Sequence, residues 1–349
     1  MGDTVAVMAG EADFIALSKR AQVARMRSVA VEALRAFPVA VDRLTLLQHG
    51  FNTTFRIDTT DGRKLAMRIN VNSRRSPANI AAEVQWLDAL ARETDLVVAA
   101  PLRTIDGRLT TVVHSPDLGR ELSVTVFSWL NGRDLGEAPT LEKSRAVGVA
   151  MAKLHDHAAT WRPTNGAELS LFDDPFWTYP DRLTPANLGI ESDDLSVLRT
   201  MVDRSASTMA RLFAVGSAQP IHTDLHDWNM KWYRGHLSVF DFDDSGIGLP
   251  IQDLAVATYY RRPEHDHVEA LFEGYVSVRS LPEMSVEDFE TLVAHRNLLL
   301  LNDLLVTTNA EHRAIIPNFT RNTVTKLRNF LDTGVYRHDL EGLLPLGEP

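Results

Sequence analysis

Two short patterns within residues 221–255 constrain this chain more than any other stretch. The first is Ile221-His222-Thr223-Asp224-Leu225-His226-Asp227-Trp228-Asn229, in which His222, Asp224 and Asn229 stand as H-x-D-x-x-x-x-N. The second is Phe240-Asp241-Phe242-Asp243-Asp244, reached at the end of the apolar run 237–240. Residues 230–232 and 237–240 read as a short hairpin turning at Arg234-Gly235, which returns the chain so that Asp241 faces Asn229. Such a layout offers one carboxylate to a hydroxyl proton and two oxygen ligands to a hard cation. Those are the needs of phosphoryl transfer. In that reading Asp224 is the catalytic group, orienting an acceptor hydroxyl and taking its proton late. Asn229 and Asp241 hold Mg2+ on the nucleotide phosphates.

The wording of the two patterns is more specific than their chemistry. They resemble the aminoglycoside phosphotransferase superfamily, which includes choline and homoserine kinases and is kin to the protein kinases. Members typically read His-Gly-Asp-Leu-His-x-x-Asn and then Ile-Asp-Trp-x-Asp-Ala-Gly-x-Gly-Asp-Pro-x-x-Asp-Leu-Ala. The present chain matches the second pattern without a gap from Asp241 to Ala255. It departs at Thr223 for the usual Gly, at Asp227-Trp228 for a common Pro-Gly, and at Leu249 for a common Asp. No departure removes a group that the chemistry needs, although Thr223 and Trp228 bear on which acceptor fits. In the resembling folds His222 supports the loop by hydrogen bonds, and Asp253 braces it from the start of a helix. The Asp-Asp-x-x-x-Gly-x-Pro-x-Gln-Asp-Leu flavour also resembles a bacterial stress-response branch that phosphorylates protein Ser/Thr.

Periodicity along the chain gives the architecture. Residues 11–36 carry a helical pattern ended by Pro38, and strand-like runs follow at 43–48, 53–59 and 64–70, with Asp61-Gly62 as a hairpin turn. Pro77 opens a helix to about residue 92, and further strands are expected at 108–114 and 121–129. Helical patterns dominate from Thr140 onward, including a tail over 286–331. The expected fold class is α+β: a two-lobed protein-kinase-like fold. A small antiparallel-sheet N-lobe with a helix spans residues 1–130, including the N-terminal helix 11–36. A larger, mainly helical C-lobe over 131–349 carries the catalytic loop and the acceptor site.

The first lobe is then expected to hold ATP. Gly50, Asn52 and Thr53 lie between the first two strands, where a glycine lets the backbone approach phosphates and small polar groups donate to them. The run resembles the family's Gly-x-x-Asn loop. Arg68 falls where kinases place a strand cation, and Glu83 on the following helix is its natural partner. Phe127, Ser128 and Trp129 resemble the hinge that carries adenine, binding chiefly through backbone groups. His155 reads as a core-packing or capping group, and His265-Asp266-His267 as a solvated loop. Polar residues in the helical lobe, Trp177, Asp181, Arg296-Asn297, Asn302-Asp303 and Thr307-Thr308-Asn309, are candidates for the acceptor pocket.

Bulk properties narrow the alternatives. With 44% hydrophobic and 23% charged residues the chain can build a sizeable core. A net charge of −10 argues against a nucleic-acid partner and is compatible with a cationic acceptor. The absence of cysteine excludes disulfides, thiolate metal sites and Cys nucleophiles. Residues 1–15 lack the basic start and apolar core of a signal peptide, Ala6 stands where a myristoylation signal wants Ser or Thr, and no run is long enough to span a bilayer. A cytoplasmic enzyme without a membrane partner is expected. The leading expectation is an ATP- and Mg2+-dependent phosphotransferase acting on a hydroxyl of a small molecule, whether aminoglycoside, amino alcohol or homoserine-like. A Ser/Thr protein kinase of the stress-response type and a pseudokinase-like ligand-binding regulator are the alternatives.

Overall fold

Strand β2 (Asn52–Thr59) alternates half-buried and buried side chains along its whole length, the period-2 signature of a sheet with one face packed on a core. The computed structural model describes residues 14, 16–71, 75–307 and 310–346. In it, β1 (Val41–His49), β2, β3 (Lys64–Asn70), β4 (Thr111–Ser115) and β5 (Arg120–Ser128) form one five-stranded antiparallel sheet in the order β1-β2-β3-β5-β4. Helix α1 (Lys19–Leu34) covers one face. Its Met26, Val29, Ala30 and Ala33 pack with Phe55, Ile57, Met67, Ile69, Val124 and Val126. The helix expected over 11–36 starts later, because the Ser18 side chain accepts from the Ala21 amide and caps it. The earlier part of that expectation, residues 11–13 and 15, lies outside the described residues, as do the termini of residues 1–13. Alternation along β3 turns Arg68 to the face opposite Met67 and Ile69, where α2 (Pro77–Glu93) brings Glu83. The strand expected at 108–114 begins only at Thr111, because Thr104, Asp106 and Arg108 are tied into a turn.

The chain divides into two compact units: residues 1–93, 98–130 and 163–168, and residues 94–97, 131–162 and 169–349. In the second, α3 (Leu141–Thr160), α4 (Ser192–Val215), α5 (Pro250–Arg261), α6 (His265–Val276), α7 (Val286–Leu304) and α8 (Ala310–Thr333) make the bulk. Helix α7 carries Leu292, Val293, Ala294, Leu298 and Leu301 into a core shared with Leu198, Met209, Ile251, Leu327 and Phe330. The tail read as helical over 286–331 is thus two helices. Short strands β6 (Gln219–Ile221), β7 (Met230–Tyr233), β8 (His236–Val239) and β9 (Gly246–Gly248) carry the chemistry-bearing loop. Strands β7 and β8 form the expected hairpin, with Arg234 and Gly235 both at positive φ as a two-residue primed turn requires. Strand β9 pairs antiparallel with β6, Gly246 opposite Ile221. Among the described residues no helix is long and apolar enough to cross a membrane.

Helices α3 and α6 cross where two glycines interlock. A Cβ added at Gly148 would strike the Leu271 carbonyl oxygen, and one added at Gly274 would strike that of Arg145. Both neighbours are helix backbone, which cannot turn aside as a side chain would. Gly274→Ala is therefore expected to cost about 1–3 kcal/mol, seen as a drop of several degrees in melting temperature. An unchanged melt would contradict this packing.

Candidate active site

The loop after β6 is held by one carboxylate. Asp253, on the first turn of α5 and fully buried, accepts the His222 amide at 3.0 Å, the Thr223 amide at 2.5 Å and His155 Nε2 at 3.0 Å. Burial opposes its charge, but His155 and His222 more than offset this and hold its pKa below the usual carboxylate value. Thr223 sits at φ 68°, a conformation that suits the family's glycine and strains a β-branched residue. It is locked there by the Asp253 bond and by its own hydroxyl, which donates to the Asp244 carbonyl at 2.8 Å. His222 is buried and neutral. Its Nδ1 accepts the Asp224 amide at 3.3 Å, so its Nε2–H donates to the Phe240 carbonyl at 3.2 Å. That ring therefore ties the Asp224 loop to the residue preceding Asp241.

Asp224 meets three donors. Asn229 Nδ2 donates to Oδ2 at 2.9 Å and also to the Asp224 carbonyl at 3.0 Å. His226 Nδ1 accepts the Trp228 amide at 3.1 Å, so its Nε2 carries the proton, 3.2 Å from Asp224 Oδ2. Arg296, from α7, donates through Nη2 to Oδ1 and, at 2.9 Å, to the Tyr260 hydroxyl. Burial pushes the Asp224 carboxyl up, while the Arg296 guanidinium and His226 pull it down more strongly, leaving it well below the usual carboxylate range. It is therefore ionised at neutral pH. Asp227 anchors the same turn by an ion pair with buried Arg261.

The hairpin closes with the Phe240 amide donating to the Asn229 carbonyl at 3.1 Å, so Asp241 follows directly on the residue paired with Asn229. Asp241 is exposed and left-handed, with φ 63° and ψ 62°, a strained state of the kind found where a side chain must be aimed. Asn229 spends its Nδ2 on Asp224, which leaves Oδ1 as its ligand atom. Among the described residues no three His, Asp or Glu side chains converge to hold a metal. A magnesium site that draws the rest of its ligands from phosphates needs only one or two protein oxygens.

In the first unit, Arg68 and Glu83 make a two-pronged buried pair, Nη1 to Oε1 at 2.8 Å and Nη2 to Oε2 at 2.5 Å. The Phe127 ring lies 5.4 Å from the guanidinium carbon. The Gly50 amide donates to the Asn52 carbonyl at 2.9 Å and tightens the β1–β2 turn, with open space where a Gly50 Cβ would point. Asn52 Oδ1 accepts from Asn70 Nδ2 at 3.2 Å. Thr53 is fully buried and its hydroxyl is bonded to His49 Nδ1 at 2.8 Å, while His49 Nε2 donates to Gln22 of α1. These bonds secure the turn from behind. The Ser128 amide donates to the Ala100 carbonyl at 2.8 Å, and its hydroxyl accepts the Ala100 amide at 3.0 Å. Trp129 follows it, half-buried.

Several pocket candidates are structural. Trp177 is buried and stacked on Phe172, 5.0 Å between centroids. Asp181 caps the Leu183 amide and pairs with Arg199. Asn302 bonds the main chain at Arg182 and Pro180. Thr308 and Asn309 lie outside the described residues. His265 and His267 open α6, with His267 Nδ1 2.8 Å from the Ser144 hydroxyl. The sequence marks no role for Tyr260 and leaves Arg296 as one polar candidate among several for the acceptor pocket. A charged residue buried in a leucine-rich helix was the available signal.

A profile of the phosphotransferase enzyme family matches residues 43–285. The chain belongs to that family, and it is an ATP-dependent kinase. Amicoumacin kinase of Bacillus subtilis (strain 168) is 22% identical over 329 residues, covering 91% of this chain and 93% of that one. An amicoumacin kinase determined in complex with AMP-PNP, Ca2+ and Ami superposes with a TM-score of 0.71 at 19% identity, over 88% of this chain and 96% of that one. A microcompartment-associated aminopropanol kinase superposes with a TM-score of 0.75 at 23% identity, over 90% and 100%. These likenesses show the two-lobed kinase-like fold.

His295, beside Arg296, is buried with Nε2 donating to the Pro175 carbonyl at 2.7 Å, and burial pushes its pKa down to about 4. The unfolded chain takes up this proton near the ordinary histidine value of about 6.5. Its contribution to stability is therefore present above that pH and is lost as pH falls toward the folded value. Melting temperatures measured from about pH 7 down to about pH 4 are expected to fall less steeply for His295→Gln than for the wild type. Parallel slopes would contradict the assignment.

Proposed function

We propose that this chain moves the γ-phosphoryl group of ATP, with Mg2+, to a hydroxyl of a small molecule. The observation that carries the reading is Asp224: an ionised carboxylate on a loop clamped by Asp253 and His222, with Asn229 against it and Asp241 one residue past Asn229's strand partner. Asp224 would accept the hydroxyl's hydrogen bond and receive its proton as the acceptor oxygen bonds to the γ-phosphorus. The bond from that phosphorus to the bridging oxygen breaks, and ADP leaves with the electron pair. Asn229 Oδ1 and the Asp241 carboxylate would hold the Mg2+. When bound, the cation neutralises phosphate charge and orients the transferring group.

Residues 1–130 would serve as the nucleotide lobe and 131–349 as the lobe that holds the acceptor. Arg68, steadied by Glu83 and covered by Phe127, is suited to meet phosphate oxygens, and the Gly50–Asn52 turn offers backbone donors. Adenine would take main-chain groups near Trp129, since the Ser128 amide is engaged. The names of the relatives, amicoumacin kinase and aminopropanol kinase, support a small hydroxyl compound as acceptor. Lack of a membrane-crossing helix among the described residues accords with work in the cytoplasm, where ATP is available.

Asp224→Asn keeps the shape and removes the base. Transfer from ATP to a panel of amino alcohols and aminoglycosides is expected to fall at least about 100-fold, with ATP affinity changed little. Wild-type turnover in the variant would overturn the assignment.

A further inference from the structure

The donors around Asp224 are shared unequally between its two oxygens. Oδ2 receives Asn229 Nδ2 at 2.9 Å and faces His226 Nε2 at 3.2 Å. Both are donors, the asparagine by its amide nitrogen and the histidine because its Nδ1 accepts the Trp228 amide. A carboxylate oxygen offers about two acceptor sites, so Oδ2 is filled. Among the described residues Oδ1 receives only Arg296 Nη2, and it keeps a site for one more donor.

Arg296 is buried, and both of its hydrogen bonds leave from Nη2, one to Asp224 and one to Tyr260. Its Nε is buried with no partner. The guanidinium lies over the Tyr260 ring, 5.5 Å from the centroid, and the His226 ring meets the same tyrosine edge-on at 5.0 Å. Burying a guanidinium is costly, and burying one with an orphaned nitrogen costs more. An arginine kept for stability alone would be expected to use its whole fork. This one works through a single nitrogen, which holds the Asp224 carboxylate and the Tyr260 hydroxyl together.

We propose that Arg296 is a positioning residue that pins Asp224 through Oδ1, turning that oxygen's open side to the acceptor hydroxyl and making Oδ1 the atom that takes the proton. The inference rests on the phosphotransferase reading above. In the transfer, the hydroxyl proton passes to Asp224 Oδ1, the acceptor oxygen forms its bond to the γ-phosphorus, and the bridging oxygen departs on ADP with the bonding pair. In this proposal Arg296 acts through Asp224 alone and makes no contact with the phosphates. Its loss should therefore lower turnover and leave nucleotide binding in place.

Water is an acceptor that is always present, so hydrolysis of Mg-ATP reads this step without a known substrate. The kcat and the KM for ATP are compared for the wild type, Asp224→Asn, Arg296→Ala and Arg296→Lys, with thermal melts alongside. Arg296→Ala is expected to lose at least about ten-fold in kcat while its KM for ATP stays within about two-fold of the wild type. Lysine, a point charge without the planar fork, is expected to restore little. Millimolar guanidinium should recover part of the Arg296→Ala rate and none of the Asp224→Asn rate. Wild-type kcat in Arg296→Ala would overturn the inference, as would a loss that guanidinium leaves untouched. Should the alanine variant fail to fold, Arg296→Lys decides: full activity overturns the proposal, and lowered kcat with unchanged KM upholds it. A wild type with no hydrolysis dependent on Asp224 overturns the phosphotransferase reading and this inference with it. That outcome is distinct from an active wild type beside an equally active Arg296→Ala.

Discussion

The buried carboxylate of Asp253 receives His155 Nε2 and the amides of His222 and Thr223, and the geometry of the Asp224 loop follows from those bonds. Without them the left-handed Thr223 would relax, since a β-branched residue held at positive φ carries a strain of about 1–3 kcal/mol. Holding Thr223 fixes where Asp224 emerges from the chain. Holding His222 fixes the ring that reaches across to Phe240, beside Asp241. One acceptor on the first turn of a helix thus sets the direction of both carboxylates. The helix itself is secured by Leu249 and Gln252, whose side-chain Oε1 takes the Leu249 amide at 2.7 Å.

The first unit shows a parallel arrangement. Arg68 is a costly group to bury, and the two-pronged contact with Glu83 makes its position definite. The sheet supplies the direction and α2 supplies the partner. The turn at Gly50 is fastened from behind through Thr53, His49 and Gln22, so α1 acts on the turn as well as on the core. Both units therefore bring polar groups into low-dielectric surroundings and satisfy them by neighbours fixed in secondary structure.

How much of this was legible in the sequence depended on range. Elements set by local signals emerged close to their true bounds: β3 ran from Lys64 to Asn70 as its pattern implied, and the hairpin turned at Arg234-Gly235. Bounds set by side-chain caps and turns were missed, at Ser18 and around Thr104–Arg108. In the site, the ordered run from His222 to Asp253 was visible because its members are close in sequence and chemically distinctive. The pairing of Arg296 with Asp224 was not, since α7 lies far along the chain, and Tyr260, which touches Arg296 and His226, carries no pattern of its own. The bonds from Thr53 to His49 and from the Ala100 amide to Ser128 were not legible, because each joins residues that local patterns do not link.

In the proposed mechanism, Asp241 and Asn229 bring a divalent cation to the phosphates of ATP. The test is calorimetric titration of ATP into the wild type and into Asp241→Ala, each with and without magnesium. Tight binding that requires magnesium is expected in the wild type and is expected to be lost or greatly weakened in the variant. Magnesium-independent binding, or equal binding by both proteins, would contradict it.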